Sequence, residues 1–213
     1  MAKKSIDMDQ IQDYFAGKLK QFGTTPRGVD WNSNGAQDTR FLQLAKIIDR
    51  PDRPFSILDY GSGFGSFYDY LVSQNMKPVR YVGFDIVDEM VIKGLELHSG
   101  NSSVEFYSQD AGLPVCDYAV ASGIFNIKLD TDYQTWTEYV VRTITRMNEL
   151  TDRGFSFNLL TKYSDADHMR PDLYYADPGY IFDVCKRQFS RNVAILHDYD
   201  LYDFTVIVRK KLD

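Results

Sequence analysis

The sequence predicts an α/β fold: a Rossmann-like, seven-stranded, mostly parallel sheet with an antiparallel C-terminal strand, helices on both faces and an N-terminal helical cap. Three observations predict it. Short apolar runs alternate with helix-period segments from about residue 37 onward. The last two runs, Val193–His197 and Phe204–Val208, are joined only by Asp198–Asp203, short enough for a hairpin that reverses the final strand. A glycine-rich turn, Asp59-Tyr60-Gly61-Ser62-Gly63-Phe64-Gly65, follows the first run at the carboxyl end of a central strand, where open α/β sheets bind ligands.

The elements follow in order. Ile11, Tyr14, Phe15 and Leu19 mark a short amphipathic stretch before the Gly/Pro/Asn-rich segment from Phe22 to Gly35. Gln37–Ile48 predicts a helix, with Phe41, Leu44, Ala45 and Ile48 at i, i+3, i+4 and i+7, and Pro51 and Pro54 after it. Phe55–Tyr60 predicts a buried strand and Phe64–Ser73 a helix. Val79–Asp85 predicts the second strand, and Asp88–His98 a helix with Val91 and Leu95 at i, i+4. Val104–Tyr107 and Val115–Ala121 predict the third and fourth strands. Tyr133–Leu150 carries the clearest helical face, Trp136, Val140, Ile144 and Met147. Gly154–Leu160 predicts the fifth strand. Asp177–Phe189 predicts a helix with Pro178 at its first position. The domain organisation read from this is a cap segment, residues 1–36, ahead of one domain, residues 37–213.

Composition narrows the partners. The chain has 213 residues, 24 Lys+Arg and 30 Asp+Glu, a net charge of −6. An acidic balance disfavours a bulk nucleic-acid binder, which needs clustered cations for phosphates. No run of 18 apolar residues predicts a membrane span. The N-terminus has basic residues without an apolar stretch behind them, so no signal peptide is expected. The two cysteines, Cys116 and Cys185, make no disulfide framework, and a reducing, cytoplasmic compartment is expected.

The turn is where chemistry is concentrated. Glycines let a backbone approach a ligand closely. Asp85 ends the second strand, placed to accept hydrogen bonds from two hydroxyls. The spacing is G-x-G-x-G rather than the dinucleotide G-x-G-x-x-G, and Walker A spacing is absent.

Ile57-Leu58-Asp59-Tyr60-Gly61-Ser62-Gly63-Phe64-Gly65 resembles motif I of the class I S-adenosylmethionine (SAM)-dependent methyltransferases. Tyr81-Val82-Gly83-Phe84-Asp85 resembles their second motif, Ser108-Gln109-Asp110-Ala111-Gly112-Leu113-Pro114 their third, and Asp117–Asn126 their fourth-strand segment. The resemblance covers roughly residues 37–210. It implies SAM as cofactor and methyl transfer as activity. Carried over by motif, Asp59 and the Gly61, Ser62, Gly63 and Gly65 backbone would hold the methionine part. Asp85, with Ile86 beside it, would hold the ribose. Asp110 would reach the adenine amine, with Gln109 and Ala111 beside it, and Ser122 would line the methionine side.

Other residues are candidates by position. Arg40, on the helix leading into motif I, could pair with the SAM carboxylate. Trp31 could close the pocket. Displacement at a sulfonium chiefly needs alignment, so a catalytic group need not stand out. His197, at a strand end, and Tyr175 are the candidate catalytic residues. His168 lies among acids, but no spacing supports a metal site. His98 reads as an exposed helix end. The loop Lys162–Tyr180, with Tyr163, Met169, Arg170, Tyr174 and Tyr175, fits a lid over the acceptor or a contact in a homodimer equally well. Asn-Pro-Pro-Tyr, typical of enzymes that methylate base amines, is absent, which favours a small-molecule acceptor; the resemblance implies, by prevalence in the family, O or N as the methylated atom. The alternatives are a protein or nucleic-acid acceptor, a SAM-binding protein without transfer, and a nicotinamide oxidoreductase, against which the turn spacing speaks.

Overall fold

The computed structural model describes residues 6–29 and 34–210. Trp31 lies outside the described residues. The N-terminal stretch is a full helix, α1 (Met8–Phe22), started by Asp7, whose side chain accepts from the Gln10 amide. A 3-10 turn (Pro26–Val29) leads to α2 (Asn34–Ala45). Then come β1 (Ser56–Tyr60), α3 (Ser66–Ser73), β2 (Arg80–Phe84), α4 (Asp88–Leu97), β3 (Val104–Tyr107) and β4 (Cys116–Ala121). They are followed by α5 (Tyr133–Glu149), β5 (Thr151–Thr161), β6 (Tyr175–Ala176), α6 (Pro178–Gln188), β7 (Asn192–Leu196) and β8 (Asp203–Arg209).

The strand order is β3-β2-β1-β4-β5-β8-β7, with β6 pairing β5 off this path. All pairings are parallel except those of β8, which runs antiparallel between β5 and β7. The expected seven-stranded sheet with its reversed final strand is present. β6 is an eighth strand, two residues inside the loop expected to be irregular.

Successive side chains feed opposite faces, as strand geometry requires. Ile57, Tyr81, Tyr118 and Ile207 pack with Phe41 and Leu44 of α2 and Phe67 and Leu71 of α3. Leu58, Val82, Ala119 and Val206 pack with Trp136, Val140 and Ile144 of α5 and Ile181 and Cys185 of α6. Burial on both faces explains why the strands read as continuous apolar runs. α5 is capped by Asp132, which accepts from the Thr135 amide, and α6 by Asp177 ahead of Pro178.

Two expectations change. α2 ends at Ala45 rather than Ile48, because its last turn tightens to i→i+3 bonds: Ile47 N–H donates to Leu44 O and Ile48 N–H to Ala45 O. The buried face of α4 is Met90, Val91 and Gly94, while Leu95 is 51% exposed. Among the described residues no helix is long and apolar enough to cross a membrane.

Candidate functional site

β1 lies between β2 and β4, so the sheet's strand order reverses there, and the turn after β1 opens onto that switch point. The turn is tied to the end of β2. Gly61 N–H and Ser62 N–H both donate to Phe84 O, at 2.7 and 2.9 Å, and Gly63 N–H donates to Asp85 Oδ2 at 2.8 Å. Its first three amides are therefore spent within the protein and form no cradle for a phosphate. Gly61 and Gly63 have φ of +87° and +54°, and a Cβ at Gly61 would run into Ile124.

Above the turn is a cavity of about 820 Å³, toward the upper end of the ~300–1,000 Å³ usual for small-molecule sites. Tyr60, Phe84, Ile86, Val87 and Met90 form an apolar wall, and Ile11 and Phe15 of α1 lie across it. α1 is held there by Phe15, Ala16 and Leu19 against Phe64, Val87 and Met90, and by Gln12 Nε2, which donates to Ile86 O at 2.6 Å.

The cavity is polar at defined points. Asp85 is 9% exposed; Oδ2 accepts from Gly63 and Oδ1 from the Val87 amide at 3.0 Å. Each oxygen keeps a second lone pair. Burial pushes its pKa up to about 6. Asp59 is buried below and accepts from Tyr81 OH at 2.6 Å; burial raises its pKa to about 7, against the opposing hydrogen bond from Tyr81. Arg40 lines the cavity with its Nη1 on Ala36 O at 2.9 Å and its Nη2 on the buried carboxylate of Asp203. Ser122 Oγ, on the β4 side, is buried with no hydrogen-bond partner among the described residues.

The structure thus gathers Arg40, Asp59, Gly61, Ser62, Gly63, Asp85, Ile86, Ser122 and Tyr175 around one cavity. It leaves out five residues. Gly65 turns away from it, and its missing Cβ makes room for His98 and Phe106. Gln109, Asp110 and Ala111 do not line the cavity, and the Asp110 carboxylate is held by Arg146 Nε of α5 at 3.0 Å. His197 follows β7, the edge strand four places from β1, ~19 Å across the sheet at ~4.8 Å per strand, and it is exposed beside Tyr163 and Phe204. His98 is a correction of another kind. Its side chain is 8% exposed, stacked on Phe106 and set against Tyr68.

The loop after β5 contributes Ser164, His168, Arg170, Leu173 and Tyr175, and the β7–β8 connection contributes Asp200, Leu201 and Tyr202. Tyr175 OH accepts from the Arg170 amide at 2.9 Å, leaving its own proton available. Gln37 and Tyr139 also line the cavity and carried no motif, as does Asn126, which ends the fourth-strand segment but was assigned no role. Gln37 had a signal, lying three residues before Arg40 on one helix face, as did Tyr139, three after Trp136.

A nucleoside bearing a charged amino-acid tail fits this donor set. Asp85 offers lone pairs to hydroxyls, the apolar wall suits a flat base, and Ser122 Oγ and Arg40 stand where a polar tail needs partners.

Comparison with known proteins bears on what that cavity serves. No family model matches the chain. A Mycobacterium tuberculosis protein named "Putative methyltransferase Rv1506c" is 46% identical over 165 residues, which span 78% of this chain and 98% of that protein. Among solved structures, magnesium protoporphyrin IX methyltransferase from Synechocystis PCC 6803 with bound SAH aligns with a TM-score of 0.65. The alignment covers 96% of this chain and 100% of that one at 14% identity. Burkholderia thailandensis 1,6-didemethyltoxoflavin-N1-methyltransferase, with 1,6-didemethyltoxoflavin and S-adenosylhomocysteine bound, gives a TM-score of 0.63 over 99% and 92% at 15% identity. At these identities the solved structures speak to the fold alone.

Proposed function

The chain belongs to the class I SAM-dependent methyltransferases, and we propose that it methylates an oxygen or nitrogen of a small-molecule acceptor. The observation that carries this reading is the cavity at the switch point, where Asp85 keeps free lone pairs while the turn amides are already used. Such a site takes a ligand with hydroxyl donors and no phosphate, which separates it from a dinucleotide site.

When bound, SAM supplies a methyl group already activated by its sulfonium sulfur. The chain's residues supply alignment, and holding two reactants in line can account for ~7–11 kcal/mol of barrier. Asp85 holds the ribose hydroxyls. Asp59, Gly61, Ser62, Gly63 and Ser122 surround the amino-acid tail, and Arg40 meets its carboxylate. Ile86 flanks the base. Asp110 would reach the adenine amine only by leaving Arg146. Residues 1–36 serve as the cap, with Ile11 and Phe15 of α1 excluding water from the methyl group.

The acceptor enters between the loop after β5 and the β7–β8 connection. The five residues that this loop places on the cavity wall support the lid over the dimer contact. Tyr175 is the catalytic candidate retained, because it lines the cavity and His197 does not. The volume accommodates two small reactants, and the acidic surface does not favour an anionic polymer.

Isothermal titration with S-adenosylhomocysteine tests the reading, with Asp85→Ala run beside the wild type. Micromolar binding that the substitution abolishes is the expected result. A folded wild-type sample that gives no heat overturns it.

A further inference from the structure

The acid of the third motif is turned to α5 and does not line the cavity. Arg146 Nε lies 3.2 Å from Asp110 Oδ1 and 3.0 Å from Oδ2, and Arg146 Nη2 donates to Asp110 O at 3.4 Å. The same guanidinium donates through Nη1 to Glu149 Oε2 at 3.1 Å, one turn further along the helix. Arg146 therefore holds both the side chain and the backbone of Asp110, and a second acid holds Arg146. A single exposed ion pair fixes little, whereas a network of several charges fixes more. The helix that carries Arg146 is itself rigid: Asp132 caps its start, and Trp136, Val140, Ile144 and Met147 bury its inner face.

Tyr60 takes the place on the wall that Asp110 leaves. It ends β1, lines the cavity and packs on Phe84, with 4.6 Å between ring centroids. Burial raises its phenol above the usual range, and the neighbouring Asp110 carboxylate and Tyr139 raise it further. Tyr60 thus stands beside Asp110 with its own proton retained. With the ribose on Asp85 and the tail toward Ser122 and Arg40, the base falls to the wall of Tyr60, Phe84 and Ile86. The two kinds of oxygen read a purine differently. A carboxylate only accepts, so it favours a 6-amino group and repels a 6-oxo group. A phenol hydroxyl donates or accepts by rotating, and it meets either.

We propose that Arg146 is a positioning residue that withholds the Asp110 carboxylate from the cofactor's base, so that the site takes a purine nucleoside with either a 6-amino or a 6-oxo group, the Tyr60 hydroxyl being the polar group that faces it. This rests on the methyltransferase reading and concerns the cofactor end of the same cavity. Arg146 touches no part of the cofactor and acts through Asp110. Its effect is on selectivity: the apolar wall and Asp85 supply affinity for any such nucleoside, and the group that would tell the two purines apart is held elsewhere.

Two ligands that differ only at purine position 6 test this: S-adenosylhomocysteine and its 6-oxo counterpart, S-inosylhomocysteine. Isothermal titration reads the ratio of their dissociation constants. Wild type should bind the two within about threefold of each other. Arg146→Gln frees the Asp110 carboxylate and should move the ratio to about tenfold or more in favour of S-adenosylhomocysteine, the range for a hydrogen bond to a charged group. The double variant Arg146→Gln/Asp110→Ala should return it to within about threefold. A merely structural role of Arg146 would shift both affinities together and leave the ratio where it was. Tyr60→Phe should weaken both ligands alike, roughly 2- to 10-fold, as for a neutral hydrogen bond. A wild-type preference larger than about threefold overturns the proposal, and so does an Arg146→Gln variant that stays within threefold. If Arg146→Gln does not fold, Asp110→Ala decides: a ratio equal to that of wild type supports the proposal and a changed one overturns it. A folded wild type that binds neither ligand overturns the cofactor reading, whereas one that binds S-adenosylhomocysteine with a strong preference overturns this proposal alone.

Discussion

Asp203→Ala takes from the buried Arg40 guanidinium its carboxylate partner and leaves the bond from Nη1 to Ala36 O. Arg40 reaches down from α2 to Asp203 at the start of β8, and the two side chains are 10% and 0% exposed. Burial raises the pKa of Asp203, against the pull of Arg40. Removing one partner of a buried pair costs ~3–5 kcal/mol, because the survivor keeps its charge without its counter-ion. In a chain of this length ~1 kcal/mol moves the midpoint by ~2–4 °C, so Tm should fall by roughly 6–20 °C. Arg40→Met should cost less than Asp203→Ala, since Asp203 can take up a proton and become neutral. Its cost should shrink as pH falls, because the folded state then binds the extra proton. The double variant Arg40→Met/Asp203→Leu should recover most of the loss, as apolar groups of similar volume often replace a buried pair without penalty. Urea unfolding of the three variants at pH 5 and pH 8 measures all of this. A cost for Asp203→Ala under ~1 kcal/mol, the worth of an exposed pair, would refute the reasoning. So would a double variant whose cost equals the sum of the singles.

Four further outcomes are expected. Gly65→Ala should lose roughly 2–5 kcal/mol in urea unfolding, since φ is +94° and the new Cβ would stand 2.7 Å from His98 Nε2 and 2.9 Å from Phe106; a loss under ~1 kcal/mol contradicts the packing role. S-adenosylhomocysteine affinity should fall as pH drops through about 6, where Asp85 takes up a proton, and Asp85→Asn should bind weakly with a flat pH profile. The two buried acids also give stability a sign: both fold with pKa values above 3.8, so their contribution declines as pH rises from about 4 to about 7, and Asp59→Asn should flatten that slope. Asp110→Ala should change S-adenosylhomocysteine affinity no more than about fivefold and stability by no more than ~1 kcal/mol, because its partner is a half-exposed arginine on α5.

The sequence shows the sheet because its strands are buried on both faces and its helices carry capped, periodic stripes. α5 was expected over 133–150 and ends at Glu149. β6 was not legible, since two residues hold no period. α1 read as a short stretch because its charged positions dilute the apolar stripe; only Ile11 of it is fully buried. His98 misled because the space it occupies is made by absent side chains. Gly65, from the turn, faces His98, and Gly83 of β2 and Gly94 of α4 open the slot for Phe106, on which His98 stacks. The glycine turn and Asp85 were legible as a local motif, whereas the pairing of Asp110 with Arg146 joins positions 36 apart. His197 occupies a strand end on the expected side, but the lateral order of strands is not written in their spacing.

The position of β8 has a consequence for biosynthesis. It separates β5 from β7, and among the described residues β7 pairs with no other strand. A ribosome that has released β5 has therefore exposed an edge, Gly154–Leu160, whose antiparallel partner is still to be translated. At ~5–20 residues per second, the interval between residues 161 and 209 lasts roughly 2–10 s. During it the nascent chain carries an unpaired apolar edge, open to pairing with other chains. Slowing translation across α6 should lengthen that window and raise the aggregated fraction, and chaperone demand should concentrate there.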